Sequence, residues 1–343
     1  MPPPAGAEKS GDLLGDFFQK LAARMRPAGA TPPTVALCLF GKHPGWDDHM
    51  EDIGPQSREM LDFKRMLYVE GVGGNIDAGN WAHLPAPERL AEFNHLLMFS
   101  RDDYYILATL TASADGKGRN LYPLVAAVQA RGVSLADLGR HIGPLLLEMR
   151  PEIQKTVSAA GAQGLVRSAQ ERLNAVSAGL SPGSPRLDRV VTGHQAARLF
   201  SADSLTAAPR VLYAVQRAVE AVGHDPANAR TETVRVPLES QQPWFAARIW
   251  CALIRSILGP AGSVTVAEYR PPGGTTDSTV GFVDLIIGNL GQPALFCLRA
   301  GLERIPLASN IPYTLDVSFL KRVTDYLAAC RSAGDGAAPA FGE

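Results

Sequence analysis

Apolar residues recur along the chain with two different periods, and these periods separate predicted strands from predicted helices. Short apolar runs bounded by turn residues predict strands in the first part of the chain at residues 35–40, 95–99, 104–111 and 121–129. Arg101-Asp102-Asp103 joins two of these runs as a hairpin turn, so we expect antiparallel pairing. Pro123 lies near the start of the last run, which favours an edge position or the beginning of a strand. Ser57 is the expected N-cap of a helix that runs to about Gly71. Residues 33–132 are therefore predicted to form an antiparallel sheet with flanking helices.

In the middle of the chain, at residues 133–228, the apolar residues have the spacing that is typical of helices. Apolar residues three or four positions apart predict helices that begin near Leu135, Pro151 and Pro209. In residues 229–333, strands are predicted at 264–269, 280–287 and 294–299, and helices at 243–258 and 317–330. The sequence therefore predicts an α/β protein with an N-terminal antiparallel sheet, a helical middle region and a second, smaller α/β unit.

Residues 1–32 are predicted to be a tail that carries one amphipathic helix. Asp12 is the expected N-cap. An apolar stripe follows it at helical spacing, made of Leu13, Leu14, Phe17, Phe18, Leu21 and Met25. A membrane-surface helix is one interpretation, but the few positive charges favour docking onto the body of the protein. At the other end, residues 334–343 are predicted to be a frayed tail.

The charge balance excludes a nucleic-acid or anionic-membrane partner. The chain of 343 residues has 33 basic and 34 acidic side chains and a net charge of −1, so it offers no positive field. No apolar run reaches the roughly 20 residues that span a bilayer, and no signal peptide is visible, so we expect a cytoplasmic protein without stable membrane insertion. The cysteines are far apart in the sequence, which favours small buried residues over a disulfide or zinc site.

The first segment with candidate chemistry is F-G-K-H-P-G-W-D-D-H-M-E-D, residues 40–52, which follows a predicted strand. It contains four candidate metal ligands: His43, Asp47, Asp48 and His49. Imidazole and carboxylate groups bind divalent metals, so a metal-dependent hydrolase is one interpretation. The spacing matches no metal motif, however, and Pro44-Gly45 is typical of a polar turn. We therefore expect no metal and no cofactor.

Two further loops are candidates for phosphate binding. Gly71–Gly79 is rich in glycine but lacks the Gly-Lys-Ser/Thr of a Walker A motif, so we interpret its glycines as positive-φ positions in a compact loop. Residues 113–124, S-A-D-G-K-G-R-N-L-Y-P-L, join two predicted strands and contain strong turn signals. Arg119 could bind a phosphate there, form a salt bridge with Asp115, or pack across the Asp47-Asp48 loop and fix it.

The segments at residues 40–52 and 113–124 together resemble the TagF/ImpM family of type VI secretion accessory proteins. The family's Gly-Lys-x-Pro…Gly-Asp loop is matched by Gly41, Lys42, Pro44 and either Asp47 or Asp48. Its Ser-x-Asp-x-x-Gly-Arg-x-Phe-Pro-Leu segment is matched by Ser113, Asp115, Gly118, Arg119, Tyr122, Pro123 and Leu124, with one extra residue between Arg119 and Tyr122. The usual end of the first motif is replaced by Trp46, Asp48 and His49. The resemblance covers residues 35–130, under a third of the chain.

The resemblance implies a cytoplasmic, non-enzymatic bacterial protein that restrains type VI secretion post-translationally. It would act by protein binding, with a forkhead-associated scaffold protein as the partner. The candidate partner-binding surface is made of Lys42, Trp46, Asp47, Asp48 and Arg119. We also predict that the two motif loops meet at one end of the sheet, where Asp47 or Asp48 pairs with Arg119. An exposed Trp46 would suit a binding anchor, whereas a buried one would not.

Overall fold

One antiparallel sheet of seven strands forms the centre of the molecule. The computed structural model describes residues 32–180, 193–200, 207–223, 230–238, 242–259, 262–271, 281–301 and 317–333. Its strands are β1 Thr34–Gly41, β2 Asn94–Arg101, β3 Tyr104–Thr111, β4 Leu124–Arg131, β5 Glu232–Pro237, β6 Val264–Tyr269 and β7 Phe282–Ile287. Their order across the sheet is β1-β4-β3-β2-β6-β7-β5, so β1 and β5 are the edge strands.

Both faces of the sheet are covered by helices, which gives three layers. The α-helices are α1 Arg58–Lys64, α2 Gly74–Asp77, α3 Leu135–Asp137, α4 Gly143–Lys155, α5 Ala159–Ala178, α6 Gly193–Ala197, α7 Ala208–Val222, α8 Phe245–Leu258, α9 Gln292–Leu295 and α10 Val317–Ala333. Two π-helical segments continue α1 and α3, at Arg65–Gly73 and Leu138–Ile142, and short 3-10 turns lie at Ala86–Glu88 and Phe296–Leu298.

The alternation of side chains along the strands builds two separate apolar cores. On β3, Tyr105 and Leu107 belong to the larger core, whereas Tyr104 and Ile106 belong to the smaller one. The larger core lies under α3 to α8 and α10, and the smaller one lies under α1, its π-helical continuation and α9. Because both faces are buried, β3 reads as a continuous apolar run rather than as alternating apolar and polar residues.

The edge strand β1 is covered by side-chain and loop hydrogen bonds. The amide of Gln170 on α5 accepts a hydrogen bond from Leu37 N at 2.7 Å and donates one to Val35 O at 3.1 Å. Further along, Leu39 and Ile53 exchange two backbone hydrogen bonds of 2.8 and 2.9 Å. An uncovered edge strand offers free backbone groups to other chains, so these contacts close one side of the sheet.

The predicted α/β class with an antiparallel sheet is confirmed. The hairpin is also confirmed, because β2 and β3 pair in full register around the turn, and Asp102 in that turn has a positive φ of 48°. Ser57 caps α1 by accepting a hydrogen bond from Met60 N at 3.0 Å. The strands of residues 229–333 do not form a sheet of their own, because β6 pairs with β2 and extends the N-terminal sheet.

Two local predictions are wrong. The apolar run at residues 294–299 is not a strand but α9 and a 3-10 turn, since Pro293 suits the first turn of a helix and a short apolar run does not distinguish the two states. Residues 71–79 are not a loop but mostly helical, and of their glycines only Gly79 has a positive φ. Gly71 instead allows close helix packing, because a Cβ there would overlap the side chain of Leu295.

Other differences concern the limits of elements. Pro151, predicted near the start of a helix, lies inside α4, and the long helix of this region begins later, at Ala159. The strand β5 was not predicted at all. The predicted N-terminal helix and both tails lie outside the described residues. Within the described part of the chain, no helix is long and apolar enough to cross a membrane.

Candidate functional site

The two motif loops lie at the same end of the sheet because β1 and β4 are paired. Gly41 ends β1 opposite Leu124, which begins β4. Lys42 N then donates a hydrogen bond to Pro123 O at 3.2 Å. Gly41 has a φ of +119°, and a Cβ there would overlap the carbonyl oxygen of Pro123, so only glycine fits this junction. Pro123 precedes β4, in agreement with a position at the beginning of a strand rather than in an edge strand.

A buried lysine links the two loops. The ammonium group of Lys42 lies 2.9 Å from Asp115 Oδ2 and 2.6 Å from Asp48 Oδ1. Lys42 is only 4% exposed, so it is not the surface contact that the sequence suggested. A charge in such a place is stable only when it is paired, and the carboxylate of Asp115 provides that pair.

Asp115 organises the second loop. Its Oδ1 accepts hydrogen bonds from the backbone N–H groups of Lys117 and Arg119, both at 3.0 Å, and its Oδ2 also accepts one from Arg119 Nε at 2.7 Å. Burial alone would raise the pKa of Asp115, but the hydrogen bonds from Lys42 and from Arg119 outweigh it and hold the pKa well below its usual range. The carboxylate is therefore ionised and fixes the turn, which Gly118 closes at a φ of +77°.

Arg119 reaches from the second loop to the first. Its Nη2 donates to Asp47 O at 2.6 Å and lies 3.2 Å from Asp48 Oδ1. Gly116 N donates to Trp46 O at 2.7 Å, which adds a backbone contact between the loops. The predicted meeting of the loops and the pairing of Arg119 with an acidic residue of the first loop are confirmed. Arg119 therefore makes both of the contacts expected within the protein: a salt bridge with Asp115 and contacts with the Asp47-Asp48 loop.

The buried side chain of His43 also holds the first loop in place. His43 Nδ1 accepts a hydrogen bond from Gly45 N at 3.0 Å, so the proton is on Nε2, which donates to Thr156 Oγ1 at 2.7 Å. Burial lowers the pKa of His43, in agreement with a neutral ring. Trp46 lies edge-on to this ring with a centroid distance of 5.3 Å and is half-buried.

His49 faces an aromatic pair on the opposite side. Its Nδ1 lies 3.0 Å from the hydroxyl oxygen of Tyr68, and its ring is edge-on to Tyr122 with a centroid distance of 4.8 Å. Burial, followed by the charge of Lys42, lowers the pKa of His49. Tyr68 belongs to the π-helical segment Arg65–Gly73, and such segments are frequent at functional sites.

The four candidate metal ligands do not converge. His43 is directed to Thr156 and His49 to Tyr68, while Asp48 binds Lys42 and Arg119. The side chain of Asp47 is directed to the solvent and is 80% exposed. Over the described ranges, no group of three His, Cys, Asp or Glu residues is placed to hold a metal ion. The arrangement therefore does not support the hydrolase interpretation.

The remaining motif residues shape the loops. Pro44 is exposed and Ser113 is half-buried. The sequence did not indicate the partners Thr156 and Tyr68, because each is distant from the motifs along the chain and neither lies in a recognisable pattern. Thr156 directly follows α4 in the structure, whereas the sequence predicted it inside a helix that begins near Pro151.

The fold and site together define a three-layer α/β protein with two loops linked by the buried pair Lys42–Asp115 and by the exposed Arg119. Comparison of the chain with protein-family models, with curated proteins and with solved structures finds no match in any of the three.

Proposed function

We propose that the chain is a non-enzymatic accessory protein of a type VI-like secretion system that acts by protein–protein binding. The observation that carries the proposal is the locked pair of loops, since the segments that resemble TagF/ImpM at residues 40–52 and 113–124 are bound to each other through Lys42, Asp115 and Arg119. Residues that match two parts of one family pattern thus build one surface. As in that family, the protein would be cytoplasmic and would regulate secretion post-translationally.

The outer side of the locked loops is suited to a protein partner. Asp47 and Lys117 are 80% and 61% exposed and lie 3.9 Å apart, so their charges are available to a partner. Two exposed apolar side chains are next in sequence to residues that contact the first loop: Val157 follows Thr156, which binds His43, and Leu121 precedes Tyr122, which contacts His49. Exposed apolar groups beside oriented charges are typical of interfaces.

The rigidity of the loops supports the same function. A binding surface gains affinity when its groups are ordered before the partner arrives, because less conformational entropy is lost on binding. Here the backbone of the first loop is held by Arg119 from one side and by His43 from the other. Trp46 contributes a half-buried ring to this frame. Because the ring of Trp46 is fixed in this way, we propose that it supports the conformation of the first loop and does not project into the partner.

A forkhead-associated scaffold protein is the proposed partner, and titration calorimetry with the two purified full-length proteins tests it. The double variant Asp47→Lys with Lys117→Glu reverses two exposed charges that lie outside the buried network. Reversal of both charges is expected to weaken binding of the partner about tenfold or more, which is equivalent to about 1.4 kcal/mol. Lys321→Glu is the matched control, because Lys321 is an exposed member of a Lys–Asp pair on α10.

Binding by the wild type and by Lys321→Glu, with weak binding by the double variant, would support the proposal. Absence of binding by the folded wild type would overturn the choice of partner. Equal binding by all three proteins would overturn the choice of surface. Circular dichroism of each variant checks that the fold is retained.

A further inference from the structure

A groove with an apolar floor runs along the outer side of the edge strand β1, next to the end of the first motif segment. It has a volume of about 420 Å³ and lies between residues 51–55 and α5. Its apolar lining includes Leu37, Ile53, Pro55 and Val166, and Gln163 and Gln170 lie along its α5 side. Leu37 and Val166 are buried at the bottom, whereas Pro55 and Gln163 are exposed at the rim. The groove is therefore open to solvent over an apolar floor.

We propose that this groove holds the amphipathic N-terminal segment of the same chain, residues 13–25, with Phe17 and Phe18 as its anchors. The apolar stripe of that segment needs a surface to cover it, because an isolated helix of this length is marginal in water. A helix over these residues would be about 20 Å long, so the groove would hold a few side chains of one face rather than the whole helix. The inference does not depend on the proposed secretion partner.

The groove is within reach of the segment. Eight residues separate Met25 from Thr34, where β1 begins. They span at most about 28 Å when extended. Leu37 in the groove floor lies three residues beyond Thr34, or about 10 Å along the strand. The linker is thus long enough to fold the segment back beside β1.

The charges of the segment and of the groove are complementary. The segment has one acidic residue, Asp16, in its first half and two basic residues, Lys20 and Arg24, in its second half, and Arg26 follows it directly. The lining of the groove has three acidic residues, Glu51, Asp52 and Glu171, and one basic residue, Arg167, so it is acidic on balance. Opposite charges at a rim orient a bound segment more than they strengthen its binding. Apolar contacts in the floor would therefore supply most of the affinity.

Pulsed dipolar spectroscopy on the full chain tests this placement. Nitroxide labels are attached at Gln19→Cys, on the predicted outer face of the segment, and at Ser168→Cys, on the exposed side of α5. The native cysteines Cys38, Cys251 and Cys297 are buried, as is Cys330, so the introduced thiols react selectively. A docked segment is expected to give one narrow distance peak. An undocked segment would spread over about 16 Å through its eight-residue linker.

Three variants decide whether the groove is the docking site. Phe17→Ser with Phe18→Ser removes the anchors, and Gln163→Trp fills the mouth of the groove, so each is expected to abolish the narrow peak. Ala23→Ser, on the opposite face of the predicted helix, is expected to retain it. A broad distribution in the parent protein would overturn the proposal. A narrow peak that persists in Gln163→Trp would overturn the groove as the site, and a peak between two singly labelled molecules would indicate a second copy and overturn docking within one chain.

Discussion

The side-chain amide of Gln170 makes the hydrogen bonds to the edge strand β1 that a neighbouring strand would otherwise make. Its removal should therefore lower the free energy of unfolding. In Gln170→Ala, the buried N–H of Leu37 loses its partner at 2.7 Å and the carbonyl of Val35 loses its partner at 3.1 Å. An unsatisfied buried backbone group costs about 1–3 kcal/mol, and the truncated side chain leaves no other donor or acceptor in its place. We therefore expect Gln170→Ala to lower the free energy of unfolding by about 1–3 kcal/mol.

Denaturant unfolding followed by circular dichroism measures this change. Gln163→Ala is the matched control, because Gln163 lies two turns earlier on α5, is exposed and makes no recorded hydrogen bond to β1. Its free energy of unfolding should stay within about 0.5 kcal/mol of the wild type. If Gln170→Ala were no less stable than Gln163→Ala, the side chain of Gln170 would not support the edge strand.

A second substitution gives the same contact a pH dependence. In Gln170→Glu, an ionised carboxylate accepts from Leu37 N but cannot donate to Val35 O, and the two oxygens repel each other. The folded protein therefore raises the pKa of the introduced carboxyl above its unfolded value of about 4.3. The protonated carboxyl restores both hydrogen bonds and so stabilises the folded state. This stabilisation is complete below the pKa that the carboxyl has in the unfolded chain, and it is lost as the pH rises through its pKa in the folded protein. The variant should approach the wild type near pH 4 and diverge from it toward pH 7.

Three further predictions concern the site and the core. Because the pKa of Asp115 is lowered, Asp115→Asn should reduce the melting temperature at neutral pH, and the difference from the wild type should shrink as the pH falls below the ordinary aspartate value of 3.8. Gly45→Ala should unfold more easily than Gly164→Ala, since a Cβ at Gly45 would lie 2.5 Å from the backbone nitrogen of Ala159 whereas a Cβ at Gly164 meets nothing within 4 Å; equal denaturation midpoints would contradict that close contact. His95 has a pKa lowered to about 3, first by burial, and its Nε2 has no hydrogen-bond partner among the residues that the structure describes, so His95→Phe should reduce the loss of stability below pH 6.5, which acid titration of unfolding measures.

Local signals were enough to predict the hairpin and the start of the first helix. The turn at residues 101–103 and the cap at Ser57 depend on neighbouring residues, and both are present in the structure. The meeting of the two motif loops was predictable because both flank strands of one small sheet. The sequence predicted a pairing of Arg119 with either Asp47 or Asp48, and the structure has it with the carboxylate of Asp48.

Contacts between distant segments could not be predicted in the same way. Nothing in the sequence around Val264 indicates that β6 pairs with β2, since any exposed apolar strand could have been its neighbour. The hydrogen bond from His43 to Thr156 joins residues 113 positions apart, and no sequence pattern around either residue predicts this contact. The burial of Lys42 was likewise unexpected, because lysine is almost never buried unless it is paired, and its partner lies 73 positions away.

The pairing of β2 with β6 has a consequence for synthesis of the chain on the ribosome. Strands β1 to β4 can pair as soon as they emerge, but the other side of β2 stays open until Val264 to Tyr269 have been made. At 5–20 residues per second, the interval from Arg101 to Tyr269 is about 10–30 s. During that time the nascent protein exposes an apolar strand edge in the middle of its future sheet. Chaperone protection should therefore matter most in this interval, and products that end before β6 should aggregate.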